Sequence, residues 1–467
     1  AEAHSHFMTV RTLTSEREVL GSVLPPWNAA LPSDLCGKRA VEYDSLYALV
    51  VPFYLPSLAS QISRSLTMMV LPLHVLSLGF SFGQVGMLIT GMGVALALGN
   101  IPAASATTAY GPRFTLIASC VLLSTAAACA CVAPALPEAL LLPMLVCVFS
   151  LFGVADAMGI LARQTFVGIL VQSGLRGRVA SALGGCNRLA MVVGASAGGC
   201  IAERYGLQTA YAVQAIVSAV SAVAVCAAMP AVSASHSSSD REVESGLHTG
   251  EEGLSMAAVA RAHWRVLLVG CGFTGCAYFM RKSREMLLAL EGHARDMSQA
   301  EVGRIAAFSY LVECGIFPLG GYSLDMLGRA RTGAVSFALM SVALLAMQVG
   351  FHGSFTTFAV IGGLSNGMTT GLAASVGNDL APPACRGNFL AVFRLFSVSA
   401  DPAAASLLGF VADATSLDLA EVAVSTIAVC GAACALFCAP GELRVAPGRG
   451  DPELKESIGL KADEWAQ

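Results

Sequence analysis

Charged residues are scarce in this chain of 467 residues. Only 12% of the residues are Asp, Glu, Lys or Arg, whereas 55% are hydrophobic and the mean hydropathy is +0.68. An ordinary soluble domain carries roughly 25% charged residues. The composition therefore excludes a water-soluble globular protein and predicts a protein embedded in a lipid bilayer.

Sequence signatures of several enzyme classes are also missing. No segment matches G-x-x-x-x-G-K-[ST], the loop that binds nucleotide phosphates, which argues against a chain that hydrolyses ATP. The 8 histidines are scattered, and no cluster of His, Cys and acidic residues has the spacing of metal ligands or of a nucleophile with its base. We therefore expect no catalytic residues, no metal site, no cofactor and no nucleic-acid partner.

Long apolar segments dominate the chain instead. Runs of about 20 residues, enough for a helix to cross a bilayer, recur along the whole sequence. They are continuous rather than alternating and rich in Ala, Leu, Gly and Val, which favours an all-α membrane protein over a barrel. Twelve spans, numbered 1 to 12, are predicted over residues 47–77, 84–107, 114–133, 139–170, 178–203, 208–229, 264–290, 299–326, 330–351, 355–380, 386–413 and 417–439.

Positive charges are concentrated in every second connection between the spans. Of 27 Lys and Arg residues, 17 fall in the tails and in the loops on the side of the N-terminus, and only 2 fall in the loops on the other side. Since basic residues accumulate on the cytoplasmic side of a membrane, both termini are expected in the cytoplasm.

The polar segments suggest how the chain is divided. Residues 1–44 lack the pattern of a signal peptide, so they are predicted to be a cytoplasmic tail, as are residues 441–467. The segment 230–262 is rich in Ser and Glu without periodicity and is predicted to be a disordered cytoplasmic linker. It would join two six-helix halves, residues 45–229 and 263–440.

The two halves repeat each other. A shift of 217 residues places Arg64 on Arg281, Ser81 on Ser298, Gly86 on Gly303 and Gly111 on Gly328, and a later shift of 210 places Gly199 on Gly409 and Glu203 on Asp413. Matches of arginines and of loop glycines seldom arise by chance. We therefore expect two six-helix bundles of the same topology, related by a pseudo-twofold axis along the membrane normal.

One loop carries a family signature. The segment "GYSLDMLGRAR", Gly321 to Arg331, matches G-x-x-x-D-x-x-G-R, the cytoplasmic loop between spans 8 and 9 in the major facilitator superfamily. With its twelve spans, the chain resembles that superfamily, which implies a multi-pass secondary transporter working by alternating access. The resemblance implies a gating loop of Gly321, Asp325, Gly328 and Arg329, in which Gly321 lets span 8 approach a neighbouring helix closely.

Two shorter patterns are similar to branches of the superfamily. Span 5 contains "GASAGG", similar to the G-P-x-x-G-G motif of drug/proton exchangers, with Ala195 in place of the proline; close helix packing explains the same small residues equally well. An arginine in span 1 and another in span 7, Arg64 and Arg281, is similar to the organophosphate/phosphate exchangers. An arginine ahead of an apolar segment and a proline also occurs in drug-efflux members, so the subfamily stays open.

Charged side chains inside the spans are costly in hydrocarbon and usually face an aqueous path. They are absent from the interiors of spans 3, 6 and 9, which in the superfamily face lipid. The candidate residues for a substrate cavity or a coupling path are Arg64, Asp156, Arg163, Arg188, Arg281, Arg284, Glu285, Glu313, Arg394 and Asp401. Ion pairs that only hold helices together are the alternative role for each of them.

Spacing predicts which of these side chains meet. The expected relationships are a shared helix face for Asp156 and Arg163, another for Arg394 and Asp401, and an i,i+4 pair of Arg281 with Glu285. Pro402 is expected to kink span 11. Because Arg64 and Arg281 are equivalent in the repeat, they are predicted to face each other across one cavity as a clamp for a carboxylate or phosphate.

The expected function is secondary active transport of a small organic solute, by proton-coupled efflux or exchange. Protonation would remove the charge of the acids in the spans, and the excess of basic residues there favours an organic anion as the substrate. A facilitative uniporter, a symporter of a metabolite, and a non-transporting receptor on the same fold are the alternatives. The expected partners are the lipid bilayer, the solute and protons, and the chain is expected to be a monomer.

Overall fold

A computed structural model describes residues 49–171, 173–230, 256–382 and 385–437. Both predicted tails and most of the predicted linker lie outside these residues. The prediction of a disordered linker as far as residue 262 is wrong, because Met256–Ala262 forms a short helix directly ahead of span 7. This segment is rich in alanine, which favours a helix, and it buries Val259.

Helices account for all twelve predicted spans, and the described part of the chain contains no strand. The helices are Leu55–Leu66 and Val70–Ser77 in span 1, Phe82–Val132 for spans 2 and 3, Glu138–Leu170 in span 4, Ser173–Tyr205 in span 5, Leu207–Ala228 in span 6, Trp264–Ala294 in span 7, Gln299–Met326 in span 8, Arg329–Val349 in span 9, Ser354–Thr369 and Leu372–Leu380 in span 10, Arg386–Val398 and Ala400–Ala414 in span 11, and Leu417–Phe437 in span 12. The prediction of two six-helix bundles is confirmed.

Seven helices within the described ranges are long and apolar enough to cross a membrane. One of them, Phe82–Ala135, has 54 residues and covers two crossings. Spans 5 and 7 are less apolar because they contain Arg188 and the charged group from Arg281 to Glu285, and breaks divide spans 1 and 10 into shorter helices. The four spans outside that set, 1, 5, 7 and 10, all line the cavities described below.

The turn that opens the third helix of each half is the same in both halves. Gly111 has φ 85° and ψ 166°, and Gly328, its partner in the repeat, has φ 87° and ψ 161°. Backbone with positive φ favours glycine, since a Cβ would clash there. The matched angles show that the repeat found in the sequence is also a repeat in structure.

Three spans are interrupted near the middle of the bundle. Span 1 breaks over Thr67–Met69, ahead of Pro72, and span 10 breaks at Thr370 and Gly371. Span 11 breaks at Ser399, which confirms the kink expected from Pro402, because a proline has no N–H to bond the carbonyl four residues earlier. Such breaks leave backbone groups free to face a cavity.

The two halves pack against each other at one end of the bundle, which we call the closed end. It is formed by the starts of spans 2 and 8 and the ends of spans 5 and 11. A Cβ added to Gly86 would lie 2.5 Å from the carbonyl oxygen of Ala405, and one added to Gly303 would lie 2.5 Å from that of Ala195. Only glycine allows the helices of the two halves to approach this closely.

Candidate functional site

A cavity of about 650 Å³, the central cavity, lies between the two halves. It is lined by Arg64, Thr67, Met68, Met69, Leu71, Pro72, Ile89, Met92, Phe152, Asp156, Gln214, Lys282, Glu285 and Met286. Spans 1, 2, 4 and 6 supply one wall and span 7 supplies the other. Two basic and two acidic side chains therefore face one another within an otherwise apolar pocket rich in methionine.

Each wall of the central cavity carries its own ion pair. Arg64 Nε donates to Asp156 Oδ1 at 2.5 Å, and Asp156 is almost completely buried. On the opposite wall Lys282 Nζ donates to Glu285 Oε2 at 3.3 Å. The predicted pair of Glu285 with Arg281 is wrong, because Lys282 is nearer to Glu285 and Arg281 turns to another helix.

A glutamine that sequence reasoning missed also reaches the central cavity. Gln214 in span 6 accepts a hydrogen bond from Thr67 Oγ1 at 2.6 Å, while its Nε2 is buried without a hydrogen-bond partner. Span 6 was expected to face lipid, and it contains no charged residue that would have drawn attention to this position. A glutamine in an apolar span was the available signal.

The second arginine of the repeat does not line the central cavity. Arg281 Nη2 donates to Asp401 Oδ2 at 2.8 Å, and its guanidinium lies 4.6 Å from the centre of the Tyr278 ring. The predicted clamp of Arg64 and Arg281 across one cavity is therefore wrong. Their carboxylate partners, on spans 4 and 11, do not occupy equivalent places in the repeat, and each draws its arginine to a different neighbour.

A buried charge network joins the halves. Glu313 in span 8 is 0% exposed and pairs with Arg188 of span 5 and, at 2.8 Å, with Arg284 Nη2 of span 7. Arg284, also 0% exposed, donates a further hydrogen bond to Ser309 Oγ at 2.8 Å. Because Arg188 belongs to one half and Glu313 to the other, this network ties the halves together midway through the bundle.

The two remaining arginines differ in burial. Arg163 is buried and donates to Ser60 Oγ at 3.4 Å. Ser60 lies one helical turn before Arg64, which bonds Asp156. The predicted shared face of Asp156 and Arg163 is therefore the face of span 4 that meets span 1. Arg394 is exposed and has no ion-pair partner among the described residues, which leaves it apart from both cavities. A shared helix face was predicted for Arg394 and Asp401, but the break at Ser399 lies between them, and neither residue lines the central or the second cavity.

A further space of about 540 Å³, the second cavity, also lies between the halves. It is lined by Arg188, Ala277, Tyr278, Arg281, Asn366, Thr369, Thr370, Gly371, Ala373 and Ala374. The break in span 10 forms one side of it. Sequence reasoning treated span 10 as an unbroken helix and therefore did not single out Asn366.

Two carboxylates hold the closed end. Ser81 Oγ at the start of span 2 donates to Asp413 Oδ2 of span 11 at 2.5 Å. In the equivalent place, Ala300 N at the start of span 8 donates to Glu203 Oε2 of span 5 at 2.8 Å, and Glu203 also bonds the side chain of Ser298. Each half thus places a carboxylate on a helix N-terminus of the other half, where it is favoured by the helix dipole.

The signature loop is held within one half. Arg329 Nε donates to Asp379 Oδ2 at 2.8 Å and Arg329 Nη1 donates to the Leu324 carbonyl at 2.8 Å, whereas Asp325 lies 3.6 Å away and is 72% exposed. The packing role expected of Gly321 is wrong: a Cβ there would meet nothing within 4 Å, while one on Gly320 would lie 2.5 Å from the Gly367 carbonyl.

The small residues of span 5 serve packing. A Cβ on Gly194 or Gly198 would clash with the backbone of Ser65 and Leu66, where the first helix of span 1 ends, and one on Gly199 would lie 2.5 Å from the carbonyl of Gln299 in span 8. The packing interpretation of the "GASAGG" pattern accounts for all three glycines.

One group of carboxylates could be considered as a metal site. Oxygen atoms of Glu291, Asp418 and Glu421 lie within 4.8 Å of one another. Arg295 Nε already donates to Glu291 at 2.8 Å, and Gln348 Nε2 donates to Glu421 at 2.6 Å. Arg295 thus already supplies a positive charge to this group, and Gln348 bonds one oxygen of Glu421.

The chain was compared with known families and proteins. The model of the Major Facilitator Superfamily matches residues 54–405. No match was found among curated proteins. Similar solved structures include a D-xylose-proton symporter (TM-score 0.67, 12% identity, covering 85% of this chain and 99% of that one), a POT family transporter in complex with a thioalcohol-conjugated peptide (0.65, 13%, 85% and 96%), and the inward-open xylose transporter XylE from E. coli (0.66, 12%, 86% and 98%).

Proposed function

This chain belongs to the major facilitator superfamily and is a multi-pass membrane transporter, and we propose that it is a proton-coupled secondary transporter of a small organic anion. The observation that carries the proposal is the Arg64–Asp156 pair, which lines a cavity between the two halves. Sites for small molecules are typically apolar with a few placed polar groups. The central cavity has such a lining, with two ion pairs among apolar side chains.

The direction in which the site opens follows from the charges of the loops. The closed end lies at the opposite ends of the spans from Gly111 and Gly328, whose loops carry Arg113 and Arg329. Since basic loops mark the cytoplasmic side, the closed end would face away from the cytoplasm and both termini would lie in it. In alternating access, the halves would rock about the central cavity and release the closed end while the loops on the other side close.

Proton coupling would act through Asp156. While Asp156 is charged, it occupies the Arg64 guanidinium that an anionic substrate needs. Protonation removes that charge and frees Arg64 for a carboxylate or phosphate, to which Gln214 Nε2 would add a hydrogen bond. Proton and anion would then bind together, so this pair favours cotransport over the efflux or exchange that the sequence suggested.

The test is uptake of labelled organic anions and cations into proteoliposomes, with and without a pH gradient. We expect anion uptake that the gradient stimulates. Asp156→Asn should retain uptake but lose the stimulation, and Arg64→Gln should reduce uptake about tenfold or more, since a charge-assisted hydrogen bond contributes roughly 1.5–3 kcal/mol.

Arg394→Gln is the matched control, because Arg394 is exposed and borders neither cavity. Its uptake should equal that of the unaltered protein. Normal uptake by Arg64→Gln would exclude the anion role of Arg64, and a wild-type protein indifferent to the gradient would exclude proton coupling. Binding of a solute without any flux would favour the receptor alternative.

A further inference from the structure

The second cavity differs from the central cavity in its charge. Among the described residues, those lining the central cavity include both acids and bases, whereas those lining the second cavity include Arg188 and Arg281 but no Asp or Glu. We propose that the second cavity is a separate binding site for a small anion carrying a carboxylate or phosphate group, held by Arg188, Arg281, Asn366 and the N-terminus of the helix Leu372–Leu380.

An unused hydrogen-bond donor belongs to a residue that lines this site. Asn366 is 5% exposed and lines the cavity, and its Nδ2 is buried without a hydrogen-bond partner. Leaving a buried amide donor without a partner destabilises the protein. An acceptor bound in the cavity could take up that donor, and an anion offers the strongest acceptor.

The break in span 10 supplies backbone donors to the same space. Gly371, at φ 89°, precedes the helix Leu372–Leu380, whose N-terminus has no side-chain cap. Gly371, Ala373 and Ala374 all line the cavity. The first N–H groups of a helix have no partner within the helix, and the dipole gives this end a partial positive charge, so it favours an anion.

The two guanidiniums retain donors for a ligand. Arg188 pairs with Glu313 and Arg281 with Asp401, and these carboxylates fix the guanidiniums from outside the lining of the cavity. A guanidinium has five N–H donors in a planar fork and uses only some of them in such a pair. Two arginines from opposite halves therefore converge with the amide and the helix end on one space.

Binding at this site does not depend on transport. Its use as a second station for the transported anion rests on the proposed function, whereas the binding itself does not. The two cavities can be separated experimentally, since Arg64 and Asp156 line only the central one. The double variant Arg64→Gln/Asp156→Asn removes the ion pair there without changing the net charge of the central cavity.

The experiment measures binding of inorganic phosphate, and separately of acetate, to the full chain purified in detergent. The method is isothermal titration calorimetry. The Arg64→Gln/Asp156→Asn protein should still bind at least one of the two anions, even if it carries no flux in proteoliposomes. In that background Asn366→Leu should weaken binding about tenfold, because one hydrogen bond to a charged ligand is lost.

A second variant distinguishes loss of the site from loss of the fold. Ala373→Asp places a carboxylate in the first turn of the helix, where an acidic residue is favourable, and this carboxylate would occupy the site itself. Binding should disappear while the melting temperature is maintained or rises. Asn100→Leu is the control, since the Asn100 amide is exposed and bonds carbonyls of its own helix.

Two results would overturn the proposal. One is the absence of phosphate and acetate binding to the unaltered protein. The other is unchanged binding in folded Asn366→Leu and Ala373→Asp proteins. Missing flux in proteoliposomes would count against the proposed function alone, because the calorimetric measurement needs no membrane.

Discussion

The carboxylate of Glu203, at the end of span 5, accepts the backbone N–H of Ala300, at the start of span 8 in the other half, at 2.8 Å. At the matching place, Asp413 accepts a hydrogen bond from the Ser81 hydroxyl at 2.5 Å, as Glu203 does from the Ser298 side chain. Both contacts can form only while the halves meet at the closed end. In the proposed alternating-access cycle they would stabilise one access state and break on the change to the other.

Removing both carboxylates should loosen the closed end. The double variant Glu203→Gln/Asp413→Asn keeps side chains of similar size but removes the charges that the helix N-termini favour. We expect faster hydrogen exchange in the first turns of spans 2 and 8, measured by mass spectrometry, with little change elsewhere. Glu138→Gln is the control, since Glu138 lies in the first turn of span 4. Equal protection in the double variant and the unaltered protein would show that the two carboxylates do not hold the closed end.

Close packing at glycine also holds the closed end together. Gly86→Ala would place a Cβ 2.5 Å from the Ala405 carbonyl oxygen, which is backbone and cannot turn away. Overpacking of this kind costs about 1–3 kcal/mol. We expect a lower melting temperature and a more accessible closed end. Gly91→Ala on the same helix should have neither effect, because a Cβ there meets nothing within 4 Å.

The sequence repeat contains the residues that hold the closed end. It matches Gly86 with Gly303 and Glu203 with Asp413. It also matches Ser81 with Ser298, which cap the helices of spans 2 and 8. The matches located equivalent positions but gave no information on which helix lies opposite. That depends on the packing of two halves more than a hundred residues apart in sequence.

The ion pairs were harder to predict for the same reason. Spacing along one helix suggested Arg281 with Glu285, yet the partner of Arg281 is Asp401 on another helix. Spacing along one helix identifies only pairs within that helix, and each such pair contributes about 0.2–0.5 kcal/mol. A carboxylate on a neighbouring helix can therefore replace the partner predicted from spacing. Asn366 was missed because the break at Gly371 that places it beside a cavity is only one glycine within an apolar run.

The buried network around Glu313 should control stability. Glu313→Gln would leave Arg188 and Arg284 without the carboxylate they share, and Arg284 is 0% exposed. Breaking a buried pair by removing one partner costs roughly 3–5 kcal/mol. We expect a large fall in the melting temperature in detergent.

Arg188→Gln should cost less than Glu313→Gln, because Glu313 keeps Arg284 as a partner. Glu301→Gln, an exposed acid on the same span, is the control and should melt as the unaltered protein does. A Glu313→Gln protein as stable as this control would show that the network contributes nothing net.

Variants of the two acids near Arg329 should affect different properties, one the stability of the fold and the other the turnover of transport. Asp379 bonds Arg329 at 2.8 Å within one half, whereas Asp325 is 72% exposed and lies 3.6 Å from it. Asp379→Asn should therefore lower the melting temperature, and Asp325→Asn should leave it unchanged. If Asp325 instead holds a helix end when the loop side closes, Asp325→Asn should change turnover in proteoliposomes without changing which solutes are carried. Unchanged turnover at normal protein levels would exclude a gating role for Asp325, and a lower melting temperature would mean that it acts in folding.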